Sequence, residues 1–440
     1  MPVLRRIPWG AVVETLVVAI VSLSLTLGPV YQFRLRWPTT VDLASDPLVL
    51  SWLGLMHLAA LLLVVIRRPD LVRVGRPPLV GITALAILVA AIVVSTVWSF
   101  APVVTATAAL GIAATAVTGL ALMATVAPAR LLIGAAIGLH VGVAWSGYRI
   151  WRGMLGALDA EGNWVGVYFN RNSLAPVTAM ALLLAGVATM LAVRATPARR
   201  WRPAIIAAGV GAGLVDLRLY LGTGSRTSAL AIGVAVAVVA GLAVARSRAA
   251  AAQTDRVVML GGAVVVGVGI VVGVARAMFV GAFDVSATLT SRTGVWSVAL
   301  EWWARRPLRG WGYLGLWGRN VDFTLDLYAT NDGVAATSAH NSLIEVLLGA
   351  GVVAAVALVI VVALGWWVVA RLVLTGDVLV CSGIAAMWSF VVVLNVTETF
   401  VIANSWYLAV LVGVLAMPWR ADLTSRRGRP VDDAPVAATC

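Results

Sequence analysis

The chain has 440 residues, of which 61% are hydrophobic and 12% are charged. Soluble domains are about 45–50% apolar and about 25% charged, so this composition excludes a water-soluble globular protein and indicates an all-α membrane protein. The formal net charge is +13, but it does not indicate nucleic-acid binding. The chain contains no lysine, and many of its arginines lie in short loops between apolar segments, where they set membrane topology.

Apolar segments of about 20 residues recur along the chain, and each is long enough to cross a hydrocarbon core of about 30 Å. We predict a polytopic bundle of twelve helices, at 9–28, 48–66, 79–98, 103–126, 130–147, 173–193, 203–220, 227–245, 257–280, 342–370, 378–396 and 400–418. Asp216 and Arg218 interrupt the seventh helix. We expect Arg218 either to pair with Asp216 or to bind a ligand, and pairing is the favoured interpretation. Residues 1–420 are expected to form one transmembrane domain, and 421–440 a disordered cytoplasmic tail.

The distribution of arginine predicts the orientation of the bundle. Placing the N-terminus inside puts most loop arginines on the cytoplasmic side, so we predict that both termini are cytoplasmic. The long polar loop at 281–341, between the ninth and tenth helices, then faces outward. Arg171, Arg218, Arg226 and Arg292 also lie outside, beside predicted membrane ends. Arginines at such depth usually face a cavity and have a partner, so these four are candidate binding residues.

The outward loop is predicted to form a helical cap. A helix is expected to start near Arg292 and to end at Pro307, because proline cannot continue a helix. Arg292 and Trp296 are four residues apart and therefore share one face of this helix. Trp296 is a candidate binding residue. The glycine-rich sequence that follows predicts a loop.

The next helix is predicted to be capped by Thr337 or Ser338, which places His340 and Asn341 in its first turn. Unpaired N–H groups point outward there, so this end of the helix favours anions. Asn341 would orient either His340 or a sugar. The other two histidines, His57 and His140, fall within apolar segments and are expected to be buried and hydrogen-bonded.

Several short pieces of sequence occur in order along most of the chain. They are Trp98-Ser99 with Ala101-Pro102, Tyr168 to Ala175 (YFNRNSLA), Gly224 to Thr227 (GSRT), Arg292 with Trp296, Pro307 to Gly312, and Ala339 to Asn341 ahead of Gly349 and Gly351. In this order, and with the long polar loop before the third-to-last helix, the chain resembles the bacterial O-antigen ligase family. That family also includes O-antigen polymerase-like proteins and protein O-oligosaccharyltransferases.

The resemblance implies a C-type membrane glycosyltransferase of the bacterial cytoplasmic membrane, with about twelve helices and an extracytoplasmic cap. Such an enzyme moves a glycan from a polyprenyl diphosphate carrier, such as undecaprenyl diphosphate, to an acceptor hydroxyl on a glycolipid, a cell-wall glycan or a protein. Arg226 and Arg292 match the family's external arginines, which are thought to hold the diphosphate. His340 matches the family's essential histidine. Asn170 and Asn172 fit its N-x-N pattern, and Arg171 lies between them at a position that varies.

The residue types suit this chemistry. Arginine presents a planar, permanently charged fork that matches phosphate oxygens, and histidine is the commonest general base near neutral pH. No clustered carboxylates of the Asp-x-Asp kind are found among the outward residues of the sequence. We therefore expect a metal-independent reaction without a cofactor, in which His340 activates the acceptor and direct attack inverts the anomeric centre.

Two other functions compete with a ligase. A polymerase of the same family would join repeat units on the same carrier, and the sequence does not separate the two. A transporter or flippase of lipid-linked glycans would also have many helices with internal charges. We find no internal repeat and no matching pair of broken helices, which many transporters have.

Overall fold

The computed structural model describes residues 9–32, 46–71, 79–168, 170–248, 290–330, 336–402 and 404–419. Within these ranges the protein is all-helical, with fourteen helices and no β-strand. The helices are α1 (Trp9–Leu25), α2 (Gly28–Tyr31), α3 (Pro47–Leu71), α4 (Leu79–Val94), α5 (Pro102–Thr125), α6 (Pro128–Trp151), α7 (Arg171–Ala195), α8 (Arg202–Thr223), α9 (Arg226–Arg248), α10 (Thr290–Arg305), α11 (Val321–Thr330), α12 (Ser342–Thr375), α13 (Val378–Thr397) and α14 (Trp406–Gly413).

Nine helices in the described ranges are long and apolar enough to cross a membrane, and α1 and α14 are shorter apolar helices. The protein is therefore a multi-pass membrane protein, as predicted. The predicted helix at 257–280 and the predicted tail at 421–440 lie outside the described residues. The number of twelve predicted helices therefore stays a prediction.

The helices pack mainly as pairs, among them α1 with α6, α7 with α8, α9 with α13 and α5 with α14. The direction of α9 relative to α13 follows from the contacts of Arg246, near the C-terminus of α9. The guanidinium of Arg246 donates to the carbonyls of Val373 (2.6 Å) and Gly376 (2.8 Å), just before α13 begins. The first turn of α9 therefore lies at the same end of the bundle as the last turn of α13.

Helix α12 is interrupted at Gly351, whose φ of 82° is not helical. The loop after α10 pairs with this break through backbone hydrogen bonds: Trp311 N donates to Leu348 O (2.9 Å), and Val352 N donates to Pro307 O (2.9 Å). A Cβ at Gly351 would lie 2.1 Å from the carbonyl oxygen of Leu308. Only glycine permits both this approach and this φ.

Residues 290–330, which we call the end layer, have a hydrophobic core of their own. Trp302, Trp311, Trp317 and Phe323 meet there with ring centroids 5.0–5.3 Å apart. The indole of Trp302 also donates to Asp326 (2.7 Å). The predicted helix from Arg292 to Pro307 is present as α10. The glycine-rich sequence that follows is a loop, as predicted.

The last predicted helix starts later than expected. Residues 398–402, 404 and 405 are not helical, and α14 begins at Trp406, with Ser405 as its N-cap. Asn404 in this segment has a φ of 56°. Its side-chain Oδ1 accepts a hydrogen bond from Nε2 of His57 (3.0 Å), whose Nδ1 lies 2.7 Å from the Thr118 hydroxyl. His57 is thus hydrogen-bonded, as predicted, and it anchors the segment between α13 and α14.

Candidate functional site

His340 lies immediately before α12 rather than in its first turn. The N-cap is Asn341, whose Oδ1 accepts hydrogen bonds from Leu343 N (3.0 Å) and Ile344 N (3.1 Å). The predicted cap at Thr337 or Ser338 is wrong, because asparagine at 341 satisfies the first N–H groups of the helix itself. Asn341 is thus a capping residue. His340 has a φ of 48°, in the left-handed region that is uncommon for residues other than glycine.

The peptide before His340 is held from both sides. The backbone N–H of Ala339 donates to Oε2 of Glu345 (2.8 Å), and the indole N–H of Trp296 donates to the Ala339 carbonyl (2.7 Å). Glu345 is buried and also accepts from the indole of Trp317 (2.5 Å). These contacts, which we call the Ala339 clamp, hold His340 in its strained conformation. The contact of Trp296 is with the backbone of the site, and the indole is half-buried.

A carboxylate joins the two main predicted residues. Oε2 of Glu398 lies 2.8 Å from Nδ1 of His340, and its Oε1 accepts a hydrogen bond from Nη2 of Arg292. The exposed fraction of the side chain is 34% for His340, 14% for Arg292 and 9% for Glu398. The site is therefore a cation, a carboxylate and an imidazole in contact, with the imidazole the most accessible of the three.

The segment that carries Glu398 is fixed by its backbone. The Ser342 hydroxyl accepts hydrogen bonds from Phe400 N (3.0 Å) and Val401 N (3.2 Å). The phenol of Tyr313, in the loop after α10, donates to the Val401 carbonyl. Burial, with a smaller contribution from the charge of Glu345, raises the pKa of Tyr313 well above its usual value. The end layer, the start of α12 and the segment after α13 therefore form one connected unit.

Arg226 is the first residue of α9 and is exposed. Because α9 and α13 run in opposite directions, Arg226 lies at the end of the bundle where Glu398 lies. The structure thus places both predicted arginines at one end of the bundle. Of the two, Arg292 contacts Glu398, the carboxylate that also contacts His340.

Arg218 does not pair with Asp216, contrary to the prediction. Residues two apart on a helix point to different faces, and both lie in α8. Asp216 is buried against α6, where its Oδ2 lies 2.8 Å from Nε2 of His140. The guanidinium of Arg218 lies 4.1 Å from the centroid of the Trp164 ring. His140 is part-buried in a polar pair, as predicted.

The N-x-N sequence begins α7. Oδ1 of Asn170 caps this helix by accepting from Ser173 N (2.9 Å), and Arg171 forms an ion pair with Glu161 (2.8 Å). Asn172 is half-buried in the first turn. The structure thus gives Asn170 a structural role, and it places Arg171 against a carboxylate of the preceding loop.

Glu398 is the residue that sequence reasoning missed. It is a carboxylate at the end of the predicted eleventh helix, between apolar segments on both sides. An acidic residue at such a position is itself a functional hypothesis. In the described ranges, no group of three or more His, Cys, Asp or Glu side chains has the arrangement of a metal site.

Residues 214–359 match the family model described as Wzy_C, O-antigen ligase. This match confirms the resemblance to the O-antigen ligase family that the motifs predict. The matched segment contains Arg226, Arg292 and His340, and it ends before Glu398. The similarity supports a membrane enzyme like the O-antigen ligases and polymerases. A comparison with curated proteins found no significant match.

Proposed function

We propose that the protein transfers a glycan from a polyprenyl diphosphate carrier to an acceptor hydroxyl at the extracytoplasmic face of the bacterial cytoplasmic membrane. The observation that carries this proposal is the contact of Arg292 and His340 with one carboxylate, Glu398, at the end of the bundle covered by the end layer. The end layer is then the extracytoplasmic cap, and both termini are cytoplasmic.

The donor site needs positive charge. When the bond between the anomeric carbon and the diphosphate oxygen breaks, negative charge develops on the departing polyprenyl diphosphate. Arg292 and Arg226 would neutralise this charge with charge-assisted hydrogen bonds. Removing one such preorganised donor from an enzyme site costs about 10²–10³ in rate. With two arginines, the diphosphate has protein partners without a metal ion, so the proposed reaction is metal-independent and uses no cofactor.

The acceptor side needs a base. In the proposed step the acceptor oxygen attacks the anomeric carbon, its proton moves to His340, and the diphosphate leaves from the opposite face with inversion. General base catalysis contributes about 10²–10⁴ in rate. Arg171, Arg218 and Asn172 are proposed to contact the glycan or the acceptor from the neighbouring helices. Trp296 is proposed to act on the site through the Ala339 clamp.

The test follows release of polyprenyl diphosphate from a lipid-linked glycan in proteoliposomes containing EDTA and candidate acceptors. His340→Gly and His340→Asn are the best variants, because glycine and asparagine tolerate the φ of 48° at this position. We expect both to retain the wild-type melting temperature and to lose at least about 10² in transfer rate. Arg292→Ala should also lose transfer. Arg305→Ala is its matched control, since Arg305 lies on the same helix in an exposed pair with Glu301.

The outcomes separate the competing functions. A new product on an acceptor that itself carries a diphosphate indicates a polymerase, and a product on any other acceptor indicates a ligase. Wild-type transfer by His340→Gly would refute the proposed role of His340. Movement of intact carrier between leaflets, with the same rate in His340→Gly, would indicate a flippase in place of a transferase.

A further inference from the structure

The contact between Glu398 and His340 specifies which ring nitrogen carries the proton. Oε2 of Glu398 lies 2.8 Å from Nδ1 of His340. A carboxylate accepts hydrogen bonds and donates none, and a neutral imidazole has one N–H group. In a neutral ring the hydrogen is therefore on Nδ1, and Nε2 has the lone pair. Nε2 is the nitrogen that would take a proton from the acceptor.

The carboxylate is itself held in place. The backbone N–H of Glu398 donates to the Leu394 carbonyl (2.7 Å) at the end of α13, and the other carboxylate oxygen accepts from Arg292. The imidazole is held at its other end by the Ala339 clamp. Both partners of the 2.8 Å contact are thus fixed by groups outside it.

We propose that Glu398 is a positioning residue that fixes the Nδ1–H tautomer of His340 and leaves Nε2 to accept the proton of the acceptor hydroxyl. This inference rests on the proposed function. In the step, the acceptor O–H bond breaks, its proton binds Nε2, and the oxygen forms the new bond to the anomeric carbon as the diphosphate leaves. The carboxylate then faces an imidazolium and stabilises it, as an acid does for the base in nucleophile–base–acid triads.

Glutamine at 398 tests this role without a change of shape. The amide has one accepting oxygen and one donating NH₂ group. Arg292 only donates, so the amide oxygen should turn toward Arg292 and the NH₂ group toward His340. Nδ1 must then accept, which moves the ring hydrogen to Nε2. We expect Glu398→Gln to invert the tautomer and to lower kcat by at least about 10².

The tautomer is read directly by ¹⁵N NMR of the histidine rings in lipid bilayers. The chain has three histidines, and the His340→Asn spectrum assigns the His340 signals by their disappearance. The neutral ring should show Nδ1–H in wild type and in the Glu301→Gln control, and Nε2–H in Glu398→Gln. In the double variant Glu398→Gln/Arg292→Ala, the amide oxygen at position 398 is no longer held by the guanidinium and can turn toward His340. The Nδ1–H signal should then return. A purely structural role of Glu398 predicts neither the inversion nor its reversal.

Transfer rates provide a second, independent test of the role of Glu398. If Glu398 acts through His340, then Glu398→Gln should cost nothing further in the His340→Asn background. An Nδ1–H signal in Glu398→Gln, a wild-type kcat in that variant, or a full additional loss in the double variant would each overturn the inference. The proposed function fails by a different result, which is movement of intact carrier between leaflets at the same rate in wild type and His340→Gly. The NMR measurement does not require transfer, so the two failures are distinguishable.

Discussion

Replacing Trp296 by phenylalanine separates two roles for this side chain. Trp296 was predicted to contact substrate, but its indole N–H donates to the Ala339 carbonyl at 2.7 Å. Phenylalanine keeps an aromatic face for a sugar and removes the N–H group. If the clamp is the important contact, Trp296→Phe should lower the transfer rate even though stacking is retained.

The magnitude follows from the environment of the acceptor. Ala339 is fully buried, so its carbonyl has little access to water once the indole is removed. A buried group left without its partner costs about 1–3 kcal/mol, and about 1.4 kcal/mol corresponds to a tenfold change in rate. If this cost appears as displacement of His340, kcat should fall between about fivefold and about 10²-fold. The KM of the donor should stay within about twofold.

The assay is transfer in proteoliposomes, with kcat and KM measured separately for donor and acceptor. Trp303→Phe is the matched control, because Trp303 is also half-buried on the same helix and its indole donates to the carbonyl of an exposed residue, Pro307, at 3.1 Å. Trp303→Phe should keep the wild-type rate. A wild-type kcat for Trp296→Phe, combined with a large loss for Trp296→Ala, would refute the clamp and favour stacking on substrate.

Two further changes test the surrounding fold. Gly351→Ala should lower the melting temperature by several degrees, because φ is 82° and the new Cβ would meet the Leu308 carbonyl oxygen. Gly233→Ala, in an open helical position of α9, should be neutral or stabilising. An equal fall in melting temperature for both variants would contradict the special role of Gly351. The pKa of Tyr313 is raised in the folded state, so folding favours its neutral form. The melting temperature of wild type should fall as pH rises above about 10, and that of Tyr313→Phe should fall less over the same range. An equal fall in both proteins would contradict this role of Tyr313.

The sequence predicts most of the bundle, because hydrophobic length is a local property. Helices α3 to α9 and α12 to α13 are visible as apolar segments, and Pro307 correctly marks the end of α10. The positions of Arg292 and His340 follow from motifs that are short and local. The cap of α12 was misassigned because Ser338 and Asn341 are both good caps, and only the tertiary clamp on Ala339 decides between them.

Glu398 could not be paired with His340 from sequence. The two residues are 58 positions apart, and Glu398 and Arg292 are 106 apart. Their contact depends on the non-helical residues 398–402 that follow α13, which were predicted as helix from residue 400. Tyr313 holds Val401 by a hydrogen bond, and His57 holds Asn404. Hydrogen bonds between residues so far apart in the chain leave no periodic pattern in the sequence. The pairing of Asp216 was missed for the same reason.

The order of the three site residues along the chain has a consequence for biogenesis. Arg292 leaves the ribosome first, then His340, and Glu398 only after α13 has been made. Domains form from the N-terminus during synthesis, so a nascent chain that ends within α12 already carries the cation and the imidazole but not the carboxylate that joins them. Synthesis of α13 and of the segment that follows it completes the proposed site. A chain truncated before residue 398 should therefore insert into the membrane as an inactive precursor.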